Sequence, residues 1–275
     1  MSEVITTELL GEHPPLHLID TGEPLSTTWI RGSEGFVGFG KWRSTTVKGA
    51  NRFSDARKWW RDQLHDLKIV NDVHGSGTGP ILFASFSFDS EEESHLIIPR
   101  TVIGHKNDKS WITWIGKHPE ILEAKEKSEP VKVTLIQGAM SDEQWKERVG
   151  KAIEHIKAGD LEKVVLARDQ VGISTNEIPT FKIIKNLIEN YPSTWTFLVS
   201  NIVGATPELL VRLSKSLVTS RVLAGTIKKT GDDSKDLALA ASLAKSSKDL
   251  EEHEYAVRSV AQALSPYCSS TNVPE

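Results

Sequence analysis

Apolar and polar positions through residues 1–140 fall into short β-like runs separated by turn signals, as in Gly35-Phe-Val-Gly-Phe-Gly-Lys-Trp42, Ile81-Leu-Phe-Ala-Ser-Phe-Ser-Phe88 and Trp111-Ile-Thr-Trp-Ile115. Phe83, Ser85 and Ser87 alternate with Ala84, Phe86 and Phe88, a period of two that suits a half-buried strand. Between these runs the pattern changes period once: Ala56, Trp59, Trp60, Gln63, Leu64 and Leu67 form one stripe of a helix expected over 54–67. The run Gly75-Ser-Gly-Thr-Gly-Pro80 reads as a loop.

After a charged stretch from Glu120 to Glu129 the helical period strengthens, and the chain is expected to divide into residues 1–140 and 141–275. Ser141 with Gln144 makes a capping box. Trp145, Val149, Ala152, Ile153 and Ile156 follow at helical spacing until Gly159 stops the helix. A strand is expected over Lys163-Val-Val-Leu-Ala167, a helix from Thr180 to Pro192, and a strand at Trp195-Thr-Phe-Leu-Val199. Two strands near 209–214 and 217–222 lead through a turn at 228–233 into two helices. The last of these, 247–264, is expected to bury Leu250, Val257 and Leu264 at seven-residue spacing.

Composition narrows the classes. The 275 residues are 38% hydrophobic and 25% charged, ordinary for a globular protein and long enough for one large domain or two smaller ones. A formal net charge of −4 supplies no basic field for nucleic acid or an anionic membrane, so a small molecule is the expected partner. One cysteine, Cys268, excludes an intrachain disulfide framework. No secretory leader or spanning apolar run is visible, and the cytosol is the default compartment.

Several motifs fail on context. Gly35-x-x-x-x-Gly40-Lys41 nearly matches a phosphate-cradling loop, but Trp42 stands where Ser or Thr must hold a metal, and the pattern that follows is strand-like. His253-Glu254 lacks a second histidine at the required spacing, and Pro14-Pro15 separate His13 from His17, so no zinc site can be argued. Nucleophilic serine or cysteine hydrolysis has no support.

Two features do carry chemistry. Lys163 stands at the mouth of an apolar run, where desolvation would disfavour the ammonium and allow a neutral lysine to act as a general base; a salt-bridged strand-end lysine is the bland alternative. Asp249 and Glu252 are three residues apart on the final helix and share a face. A divalent cation would relieve their repulsion, magnesium being suited to a few carboxylates with waters and substrate oxygens, while a solvated acidic first turn explains the spacing equally well.

In order and spacing, Lys163-Val-Val-Leu-Ala-Arg, Thr206-Pro-Glu-Leu-Leu, Leu223-Ala-Gly-Thr and Ser246-Ser-Lys-Asp-Leu-Glu-Glu-His253 resemble the chorismate-utilising enzymes. The resemblance is strong from about residue 141 and lies nearest the menaquinone-type isochorismate synthases. It implies an α+β fold of antiparallel-rich sheets layered with helices, the site in the cleft between sheets. It also implies Mg2+-dependent conversion of chorismate to isochorismate. Lys163 would activate water for attack on C2 and Glu208 would protonate the departing C4 hydroxyl. Glu252 and Asp249 would hold the metal, and Ala224, Gly225 and Thr226 would line the substrate pocket. Ala224 stands where aminodeoxychorismate synthases place a nucleophilic lysine, so the resemblance disfavours the lysine pathway. A salicylate- or anthranilate-type lyase is the alternative activity. By resemblance the chain corresponds to roughly the N-terminal two-thirds of such an enzyme, so a catalytically incompetent product is a further expectation.

Overall fold

The computed structural model describes residues 3–124, 131–225, 227–228 and 230–273; of Lys248 and Asp249 it describes the backbone alone. In chain order the first elements are β1 (Val4–Leu10), β2 (Ile19–Asp20), β3 (Leu25–Arg31), β4 (Glu34–Phe39), β5 (Arg43–Val47), α1 (Arg52–Leu64), β6 (Lys68–Asn71) and β7 (Phe83–Ser85). They continue as β8 (Ser94–Ile98), β9 (Thr101–Lys106), β10 (Lys109–Ile115), β11 (Leu122–Glu123), β12 (Val133–Gln137), α2 (Asp142–Ala158) and β13 (Gln170–Ser174). The remainder is α3 (Thr180–Asn190), β14 (Trp195–Val199), β15 (Ile202–Thr206), β16 (Leu209–Ser214), β17 (Leu217–Arg221), α4 (Asp233–Ala244) and α5 (Ser247–Leu264). The α+β class and the antiparallel-rich sheets are as expected.

Two compact units divide the chain. The larger comprises 1–123 and 184–275, the smaller 124–183. The larger is organised on an eight-stranded sheet of order β15-β14-β3-β4-β9-β10-β1-β6. Every pairing in it is antiparallel except β1 with β6. Tight turns close the hairpins where the chain can take φ > 0: Asn107 and Asp108 between β9 and β10, and Lys215 and Ser216 between β16 and β17. Gly35 (φ 138°) is required to be glycine, because a Cβ there would run into the carbonyl of Trp29 across the β3–β4 ladder. That glycine belongs to a strand, which removes the phosphate-loop reading of the Gly35–Lys41 run.

One face of this sheet packs Ile30, Val37, Ile103, Ile112 and Leu198 against Leu16, Ile19 and the α3 side chains Ile184 and Ile188. Burying such side chains stabilises the fold by about 1.5–3 kcal/mol each. Thr7 and Thr113, directly opposite in the β1–β10 ladder, satisfy each other in the interior through a 2.9 Å hydroxyl contact.

In the smaller unit the local signals hold. Ser141 caps α2 with its side chain on the Gln144 N–H while Gln144 reaches back, and Gly159 closes the helix at φ 82°. The Ile153 and Ile156 side of the helix is solvent-exposed. The strand expected over 163–167 does not form: the segment between α2 and β13 is irregular. A strand persists only where a neighbour completes its ladder, and β13 is taken by β12. The burial expected of Leu250 also fails. It is exposed, whereas Val257 and Leu264 are half-buried.

Candidate functional site

Glu208 owes its position to the break between β15 and β16. Pro207 has no N–H to donate and ends the β15 strand, and the Glu208 N–H turns back to the Thr206 hydroxyl at 3.1 Å. The Glu208 side chain is exposed. Ala224 and Gly225 lie in the connection after β17. Both are half-buried, and Gly225 has φ 82°, a left-handed conformation that glycine adopts without a Cβ penalty. Farther along, the Asp236 carboxylate accepts from the Thr230 N–H (2.7 Å), the Thr230 hydroxyl (2.9 Å) and the Gly231 N–H (3.3 Å), fastening this connection to the start of α4. Thr226, expected in the substrate pocket, lies outside the described residues.

Glu252 is half-buried on the first turns of α5. Asp249 precedes it by one helical step, but its side chain lies outside the described residues. Among the described residues, no group of three or more His, Cys, Asp or Glu is placed to hold a metal ion. Magnesium is commonly held by one or two carboxylates with substrate oxygens and water, so Glu252 suits it as a single hard oxygen ligand and not as a complete centre.

Lys163 belongs to the smaller unit, whereas Glu208, Ala224, Gly225 and Glu252 belong to the larger. Its segment is fastened at both ends. His155 Nδ1 meets Asp160 at 2.9 Å, Arg168 pairs with Asp142, and Asp169 accepts the Ala139 N–H at 3.0 Å. Within it Lys163 is exposed, so the apolar strand mouth expected to desolvate its ammonium is not formed by these residues.

A polar cluster that sequence inspection missed lies in the larger unit. His13, Ser110 and His105 are joined by hydrogen bonds of 2.6 and 2.7 Å. Its trace in the sequence is the histidine pair around Pro14-Pro15, whose spacing does not suit a metal.

Residues 26–275 match the family described as chorismate binding enzyme. The isochorismate synthase DhbC of Bacillus subtilis is 29% identical over 208 residues, covering 71% of this chain and 49% of that protein. The isochorismate synthase MenF of the same organism is 25% identical over 275 residues, covering 87% of this chain and 58% of its own length. The chain thus spans about half of these curated relatives. The solved structure of MenF, the menaquinone-specific isochorismate synthase from Escherichia coli, superposes with a TM-score of 0.71 at 16% identity, covering 99% of this chain and 65% of that one, a likeness of fold.

Proposed function

Because this chain belongs to the chorismate binding enzymes, we propose that it serves the isomerisation of chorismate to isochorismate. The observation that carries this reading is that one family match, 26–275, contains the four segments around Lys163, Glu208, Ala224 and Glu252 in order, and that relatives matched over most of this chain are named isochorismate synthases.

In this reading Lys163 takes a proton from water as the oxygen bonds to C2 of the ring. The ring double bond shifts, the C4–oxygen bond breaks, and Glu208 supplies the proton that lets the hydroxyl leave as water. Atoms balance as one water gained and one lost. Ala224 leaves space for water, and Gly225, left-handed and without a side chain, lets backbone approach the substrate. Thr226, outside the described residues, is the third residue proposed for that lining. Glu252 and Asp249 are the proposed ligands of Mg2+, which would neutralise a substrate carboxylate when bound. Residues 141–275 would carry this chemistry and 1–140 would be the more variable region. By likeness to MenF we propose a menaquinone-directed role, and we propose the cytosol as its compartment. Among the described residues no helix is long and apolar enough to cross a membrane.

The test is turnover of chorismate with and without Mg2+, with products separated as isochorismate, salicylate or anthranilate. Isochorismate is expected, and Lys163→Ala and Glu208→Gln should each lower kcat by about 10²–10⁴-fold. Full rate in both variants would refute the assigned roles. Salicylate or anthranilate as product, or no magnesium-dependent turnover, would refute the reaction.

A further inference from the structure

A cavity of about 710 Å³ opens beside the end of β1, between the short 3-10 turn Leu16–Leu18 and the β3–β4 turn. That volume is ordinary for a small-molecule site. Its apolar wall is Pro15, Leu16 and Ile30, and its polar wall holds the imidazoles of His13, His17 and His105. Ser110, the cross-strand partner of His105 in the β9–β10 hairpin and of Leu10 in the β1–β10 ladder, bridges His13 and His105. The two rings stand edge to face at 6.2 Å.

The hydrogen bonds fix the direction of the chain. His13 Nδ1 lies 2.6 Å from the Pro14 carbonyl, which can only accept, so Nδ1 bears the hydrogen. In the neutral ring Nε2 is therefore an acceptor, and the Ser110 hydroxyl 2.6 Å away donates to it. A hydroxyl has one proton, so Ser110 Oγ accepts from His105 Nδ1 at 2.7 Å. His105 Nε2 is left as a lone pair for which no hydrogen bond is formed among the described residues.

An added proton at His105 Nε2 converts that acceptor into a donor. The His105 Nδ1 proton can pass to Ser110 Oγ as the Ser110 proton passes to His13 Nε2. Charge then moves onto His13, Ser110 donates to His105 Nδ1, and His105 keeps its Nε2–H. In either arrangement one positive charge is shared by two imidazoles beside an apolar wall. We propose that this cavity is a second ligand site, taking a small carboxylate with an apolar body together with one proton.

Nearby charges bear on that proton. Glu12 also lies on the cavity wall, where its carboxylate disfavours an anion bound directly beside it. Glu34 is occupied by the Asn107 N–H (3.0 Å), and Glu8 by His118 (3.3 Å). Lys106 and Lys109 flank the β9–β10 turn, and Arg31 is turned onto the Trp195 ring. Burial holds His17 below its ordinary pKa; Glu189 opposes and Lys185 reinforces that shift.

Imidazole nitrogen shifts of 15N-histidine-labelled protein, with sodium benzoate as probe, test the site on either side of the ordinary histidine pKa of about 6.5. Expected are Nδ1–H tautomers at His13 and His105 at alkaline pH, and saturable benzoate shifts at His105. Calorimetry in two buffers of different ionisation heat should show about one proton taken up per benzoate above pH 6.5. Ser110→Ala should leave the Nδ1–H tautomer at His13, which the Pro14 carbonyl holds, and abolish it at His105, while His105→Gln should abolish the proton uptake, with circular dichroism unchanged in both. An Nε2–H tautomer at His105, benzoate binding without proton uptake, or no saturable binding would overturn the proposal.

Discussion

The eight-stranded sheet and the β12–β13 hairpin draw on the same residues, isoleucine, valine and leucine at strand spacing, and end in opposite environments. Ile103 and Ile112 in the sheet are fully buried, whereas Leu135 is 64% and Ile173 53% exposed. The β16–β17 hairpin behaves like β12–β13, with Leu213 and Leu217 largely exposed. In the first case α3 and the Leu16–Leu18 turn cover one face of the sheet; in the hairpins nothing among the described residues does so. Strand-forming pattern and strand burial are thus separate properties, and the second needs another layer.

The sharpest way to break this contrast is to remove the same kind of side chain from both places. Ile103→Ala is expected to lower unfolding free energy by about 2–5 kcal/mol, measured by denaturant titration, while Leu135→Ala should stay within about 0.5 kcal/mol. Equal losses would mean that the hairpin is buried in the folded protein in solution. Next in size is Ser141→Ala, which removes a capping box from a helix with no buried residue. A cost of about 0.5–2 kcal/mol should appear as faster amide exchange along α2 and leave the sheet amides unaffected. Exchange changes spread through the sheet would show that the two units unfold together.

The smallest effect concerns acid. His17 has its pKa lowered in the folded protein, chiefly by burial. Below the ordinary value near 6.5 the unfolded chain therefore binds the proton more readily than the native one, and stability falls as pH drops through that range. His17 is only part-buried, so the loss should be small. Thermal melts of the protein and its His17→Gln variant at several pH values should show this increment disappear in the variant.

Local signals were the most legible. The capping box at Ser141, the stop at Gly159, the strand Trp195–Val199 and the helix 247–264 all lie where spacing placed them, since each depends on residues a few positions apart. Lys163–Ala167 misled because an apolar run is only a strand when something pairs with it. The candidate site was legible as ordered segments through resemblance. The exposure of Lys163 was not legible, because burial depends on what else packs there.

Sequence alone determined the period of each segment, the caps and turns that bound it, and a set of chemistry-bearing residues in family order, because these are short-range consequences of side-chain shape and backbone freedom. Only the tertiary structure decided which apolar faces are covered, and that Ser110 meets His13 from 97 positions away. Such contacts are made by strand order and ladder register, which are properties of the assembled sheet and of no single segment.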